Sequence, residues 1–102
     1  MSEKEQDENR KETLRAVARG YVQGVGFRVF IRSRAWGLGV RGYVQNMPDG
    51  TVNVVAAGPH ARLQKLLDEI WRGPAGAHVM SVETDWTEGE ATGLSPHFEV
   101  KH

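Results

Sequence analysis

No cysteine occurs in the 102 residues, which excludes disulfides, thiolate nucleophiles and thiolate metal sites. That absence suits a reducing compartment. Net charge is missing too: thirteen Lys and Arg balance thirteen Asp and Glu. Such a chain carries no global field to hold nucleic acid or an anionic membrane, although a local cluster can still bind an anion. No apolar run approaches the roughly 18 residues of a membrane span, and the first residues lack the apolar core of a signal peptide. The expectation is a soluble cytoplasmic protein with no membrane partner, and the length suits one domain.

Residues 1–12 (MSEKEQDENRKE) hold almost nothing apolar and many charges of both signs. Such a segment cannot bury enough surface to offset its ordering entropy, so a disordered charged tail is expected, followed by a folded domain over 13–102. Residues 13–22 are rich in Val, Ala and Tyr and read as a strand, broken at Gln23-Gly24-Val25-Gly26. Phe27, Phe30, Ile31, Arg34, Ala35 and Leu38 then recur on one helical face, which Gly37 and Gly39 terminate. Two further strands, 40–47 and 51–57, are joined by Pro48-Asp49-Gly50. Leu63, Leu66, Leu67, Ile70 and Trp71 form a second amphipathic stripe, opened by Pro59 and closed by Gly73-Pro74. A strand over 78–86, a polar loop over 87–96 and a short strand over 98–101 complete the chain.

The order is β-α-β-β-α-β with an extra short C-terminal strand. Two helices on one face of a mostly antiparallel sheet is the ferredoxin-like α+β sandwich. In its first βαβ unit the two strands run parallel, so both end at one rim of the sheet. That topology brings the loop 23–28 together with Asn46, eighteen residues beyond Arg28.

The loop suits an oxyanion. Gly24 and Gly26 can take backbone angles closed to other residues, letting successive N–H groups converge. The helix that begins here adds unpaired N–H groups and a partial positive charge. Arg28, in its first turn, can fold back over the loop and grip phosphate oxygens with paired hydrogen bonds. Each piece also has a plain structural reading: a glycine turn is often only a turn, an early helical Arg is usually solvated, and an Asn ending a strand is usually turn chemistry. Two common phosphate motifs do not account for the loop. Val29 stands where a dinucleotide fingerprint needs its third Gly, and no Gly-Lys-Ser/Thr occurs.

The segment Gly20-Tyr21-Val22-Gln23-Gly24-Val25-Gly26-Phe27-Arg28-Val29-Phe30 resembles the acylphosphatase signature G-x-V-Q-G-V-x-F-R-x-F at every specified position. The run from Leu38 to Asn46, followed by Asp49-Gly50-Thr51-Val52, resembles the second block of that family, L-G-[LV]-x-G-[WY]-V-x-N-x-x-D-G-x-V. Gly73-Pro74-Ala75-Gly76-Ala77-His78-Val79 is similar to its G-P-x-x-A-x-V. The likeness spans about residues 13–101. It implies a cofactor-free hydrolase of acyl phosphates, with Arg28 binding the substrate phosphate and Asn46 positioning the attacking water. Phosphate cradling passes to the backbone of Gln23, Gly24, Val25, Gly26, Phe27 and Arg28. Inorganic phosphate is then product and competing ligand, and a monomer is the family default. Met47 departs from members that carry a hydroxyl residue there, and the charged tail is longer than usual.

Other candidates fall away. His60, His78, His97 and His102 show no metal-ligand spacing, so no metal site is expected, and they are read as surface or strand-end residues. Asp68-Glu69 reads as a solvated pair, and Ser33, Ser81 and Ser95 have no basic neighbour in a nucleophile motif. Trp36, Trp71 and Trp86 are read as core or helix-sheet packing. Of Arg28, Arg32 and Arg34, only Arg28 is expected to face the loop. An RNA-recognition module needs stacking aromatics on its central strands, and 51–57 has none. The other alternative is a non-hydrolytic phosphate or carbamoyl phosphate binding domain, which occurs within larger maturation enzymes, whereas this chain stops at His102.

Overall fold

A computed structural model of the chain describes residues 8–102. Its strands are β1 (Lys11–Tyr21), β2 (Arg41–Asn46), β3 (Val52–Pro59), β4 (His78–Glu88) and β5 (Glu99–Lys101); its helices are α1 (Phe27–Leu38) and α2 (His60–Arg72). The sheet order is β4-β1-β3-β2-β5. β3 pairs antiparallel with both β1 and β2, β4 pairs antiparallel with β1, and β5 pairs parallel with β2. With β3 between them, β1 and β2 run the same way, and β5 runs with β2. The C-terminal ends of all three therefore meet at one rim. This is the expected ferredoxin-like sandwich.

Period-two alternation builds the inner sheet face. Leu14, Ala16 and Ala18 of β1, Val52, Val54 and Ala56 of β3, and Val44 of β2 are fully enclosed. Against them α1 buries Phe27, Ile31 and Ala35, and α2 buries Leu63, Leu66, Leu67 and Ile70. Each large side chain so enclosed stabilises the fold by about 1.5–3 kcal/mol. Both helices end as their sequences direct. Gly39 (φ 68°) caps α1 with its N–H on the Ala35 and Trp36 carbonyls, and Gly73 (φ 65°) closes α2 through Glu69.

The expected tail is too long at its C-terminal end. Residues 1–7 lie outside the described residues, but the chain is engaged from Arg10, whose carbonyl accepts the His60 N–H at 2.9 Å. Lys11 pairs with Pro59 in β1, and Glu12 is buried against His60 Nδ1 (2.5 Å), with Arg10 Nε at 3.9 Å. Charged neighbours let a carboxylate begin a strand that composition assigned to the tail.

Two of the three tryptophans differ from expectation, while Trp86 packs against the core. Trp36 and Trp71 remain 57% and 48% exposed, while Trp86 is half-buried and stacks on His60 at 4.9 Å. Trp36 instead acts as a strut: its indole N–H donates to the Phe98 carbonyl at 2.7 Å, and Phe98 itself is buried. That bond ties α1 to the entry of β5. The loop after β4 crosses to the opposite edge of the sheet and is strapped by Thr13 Oγ1, which donates to the Gly89 carbonyl and accepts from the Ala91 amide. Arg41 holds it through the Leu94 carbonyl (2.9 Å).

The β2–β3 turn is an Asx-type turn. Asp49 Oδ1 accepts from the Thr51 hydroxyl (2.6 Å) and the Thr51 amide (3.0 Å). These bonds, the hydroxyl's first, hold the Asp49 carboxyl below the ordinary aspartate value of 3.8. A lowered folded-state value means that stability is present above the unfolded pKa and is lost as pH falls through the folded one. Urea unfolding of wild type should therefore lose a contribution below pH 3.8 that Asp49→Ala lacks. Parallel pH curves for the two proteins would refute it.

Candidate active site

At the shared rim a cavity of about 200 Å³ opens between the loop after β1, the first turns of α1, and the ends of β2 and β5. Gly24 and Gly26 take left-handed backbones, with φ of 75° and 76°, and no atom lies within 4 Å of where a side chain would begin. Backbone angle, not crowding, sets the requirement for glycine at both positions. Gly26 is the N-cap of α1 without a side-chain capping bond, and its carbonyl takes the first helical N–H, from Phe30 at 3.0 Å. The N–H groups of Phe27, Arg28 and Val29 precede that bond and have no intrahelical acceptor. Such a terminus carries partial positive charge and favours an anion.

Of the expected site residues, Gly24, Gly26, Phe27, Arg28 and Asn46 line this one cavity. Gln23 and Val25 do not. Val25 packs against the core, because alternate residues of the loop face inward. Gln23 reaches away to the β2–β3 turn, donating from Nε2 to the carbonyls of Met47 and Thr51, each at 2.9 Å. This amide clasps the glycine loop to the residue following Asn46. The Asn46 side chain is half-buried, and its Oδ1 is enclosed with no hydrogen-bond partner among the described residues. Asn46 itself lines the cavity, and an enclosed acceptor with no partner favours an O–H donor brought to it.

Five lining residues were not among those expected: Val22 and Val29, which flank the loop, and Arg32, Val100 and His102. Arg32 lies one helical turn beyond Arg28, and that i, i+4 spacing was the available signal. The expectation that Arg28 alone of the three arginines faces the loop side fails for Arg32; Arg34 does turn away, to Glu69 (3.3 Å). His102 arrives through the parallel β2–β5 pairing, in which Gln45 faces Lys101, so the next residues are Asn46 and His102. Its Nδ1 lies 3.2 Å from Arg28 Nη1. A guanidinium only donates, so Nδ1 is the acceptor of this bond. Among the described residues the lining includes two arginines and one histidine and no Asp or Glu, so the cavity is electropositive although the chain is neutral overall.

The acylphosphatase family profile matches residues 14–100. The chain belongs to the acylphosphatase family. It is 46% identical to an acylphosphatase of Caldivirga maquilingensis over 84% of this chain and 94% of that one. It is 47% identical to one from Thermus thermophilus over 79% and 90%. The structure of the Bacillus subtilis acylphosphatase superposes with a TM-score of 0.84 at 28% identity, covering 89% of this chain and 99% of that one. The protein is a hydrolase of acyl phosphates, and the RNA-recognition alternative falls. No helix among the described residues is long and apolar enough to cross a membrane.

The Gln23 clasp generates a prediction for this acylphosphatase. Gln23→Leu removes two neutral hydrogen bonds whose acceptors each keep another backbone donor, so stability should fall by only about 1–2 kcal/mol. Activity should fall further, about tenfold in kcat/KM, because the loop and Asn46 lose their tie. Unchanged kcat/KM in a folded variant would show that the clasp has no part in positioning.

Proposed function

We propose that the substrate phosphate sits on the N–H groups of residues 24–28 at the start of α1, gripped by Arg28, while Asn46 holds the water that attacks it. The observation that carries this reading is the enclosed, unpartnered Asn46 Oδ1 in the same cavity as the left-handed glycines and Arg28. Of the cradle residues expected from the sequence, Gly24, Gly26, Phe27 and Arg28 line that cavity, which supports the reading.

Each step is within reach of these groups. Asn46 Oδ1 accepts one O–H of the water and directs its lone pair at phosphorus; the amide does not titrate, so it orients and does not take the proton. A bond forms between the water oxygen and phosphorus, and the bond from phosphorus to the acyl oxygen breaks. The electron pair leaves on a carboxylate whose conjugate acid has a pKa near ~4, so no general acid is needed. One water hydrogen remains on the new P–OH and the other passes to a phosphoryl oxygen, giving carboxylate and dihydrogen phosphate. The transition state of such transfers is loose and asks mainly for positioning and charge stabilisation. Backbone donors and a planar guanidinium provide both.

The same reading makes inorganic phosphate a competitive inhibitor and the reaction independent of added metal. It also places a monomeric enzyme in the cytoplasm, which the cysteine-free composition supports.

Hydrolysis of benzoyl phosphate, followed by ultraviolet absorbance with EDTA present, tests the assignment. Arg28→Gln should lower kcat/KM on the order of 10²–10³-fold, as loss of a transition-state donor does. Asn46→Ala should lower kcat on the order of 10²-fold through lost positioning. His102→Gln should stay within about tenfold of wild type, since histidine is given no proton to carry. A collapse in His102→Gln equal to that of Asn46→Ala would make His102 a general base and overturn the role given to Asn46.

A further inference from the structure

Arg32 is not used by this mechanism, yet it faces the same cavity. We propose that Arg32 forms a second anion subsite, so that the enzyme favours acyl phosphates whose acyl group carries its own carboxylate. The inference rests on the reading above, in which the loop and Arg28 take the phosphate.

Three observations carry it. The first is charge. Arg10, Arg19, Arg34, Arg41 and Arg72 each lie against a glutamate, whereas among the described residues no Asp or Glu lines the cavity that holds Arg28 and Arg32. Arg28 and the helix N-terminus, worth about half a charge, meet most of a phosphate dianion, so with Arg32 the cavity keeps an excess of about half a positive charge.

The second is presentation. The Arg32 guanidinium lies over the Trp36 ring at 4.9 Å, and Trp36 is itself fixed by its bond to the Phe98 carbonyl at 2.7 Å. Stacking holds a guanidinium plane without occupying its in-plane N–H donors. The Arg32 Nε is enclosed and has no hydrogen-bond partner among the described residues. With Nε enclosed, a carboxylate in the cavity meets the outer N–H groups of the guanidinium.

The third is distance. Four residues of helix rise separate Arg28 from Arg32 by about 6 Å along the axis. A short dicarboxylic acyl group spans that interval, so one molecule can meet both arginines.

The test compares fumaryl phosphate with crotonyl phosphate. The two differ by a carboxylate in place of a methyl, and the trans double bond keeps that carboxylate from attacking its own acyl carbon. Phosphate release is followed for wild type, Arg32→Gln and Arg32→Lys, with spontaneous hydrolysis subtracted. The readout is the ratio of kcat/KM for fumaryl over crotonyl phosphate; taken relative to wild type, it cancels the leaving-group difference between the acids. Arg32→Gln should lower that ratio about tenfold, as loss of one charge-assisted contact does. Arg32→Lys, which keeps the charge, should retain most of it, and added salt should erode the wild-type preference. An equal fall on both substrates would assign Arg32 to the phosphate or to support of Trp36, and no change on either would leave it outside binding. Both outcomes overturn the proposal. Arg28→Gln separates the two levels: if it hydrolyses both substrates at the wild-type rate, the underlying phosphate reading fails instead.

Discussion

Two left-handed glycines between β1 and α1 set the terms for everything around the cavity. With φ of 75° and 76°, Gly24 and Gly26 turn the chain so that helix α1 begins with its unpaired amides facing the rim. An L-residue side chain would disfavour those angles by roughly 1–2 kcal/mol at each position. The turn is also held from outside. Gln23 bonds two carbonyls of the β2–β3 turn, so the loop and the strand end that carries Asn46 form one unit. Phe27 and Ile31 then fix the helix behind the loop by burial in the core.

The sheet supplies what the loop cannot. Because β3 lies between β1 and β2, those two strands end together, and the parallel addition of β5 brings a third C-terminal end to the same rim. Residues distant in sequence then surround a cavity of about 200 Å³ whose charged side chains, among the described residues, are all basic. A positive cavity needs no net positive charge of the chain. The fold concentrates two arginines and a helix terminus at one place, and sets Arg19, Arg34 and Arg41 against glutamates. Local geometry, not net charge, makes the site.

Much of this was legible in the residues. Apolar spacing located both helices, Gly39 and Gly73 marked their ends, and Pro48-Asp49-Gly50 marked the hairpin turn. The order of elements then placed Arg28 and Asn46 on one rim. What escaped depended on long-range contacts. Glu12 joins a strand only because His60, forty-eight positions later, meets its carboxylate. His102 reaches Arg28 only because β5 pairs with β2 and not with another edge. Trp36 stays on the surface because its work is a hydrogen bond to Phe98, which hydrophobicity cannot reveal. The Gln23 amide reaches two carbonyls of a turn more than twenty residues away, a contact no local pattern marks. Arg32 was legible from helical spacing, since i, i+4 puts it on the face of Arg28.

Whether the loop amides hold the phosphate is the central question, and a titration with inorganic phosphate followed by ¹H–¹⁵N correlation spectra answers it most directly. The account predicts saturable shifts concentrated in the backbone amides of Gly24, Gly26, Phe27 and Arg28 and in the Arg28 side chain, with the outer face of the sheet unmoved. Saturable binding whose shifts fall elsewhere, with those amides unchanged, would contradict it.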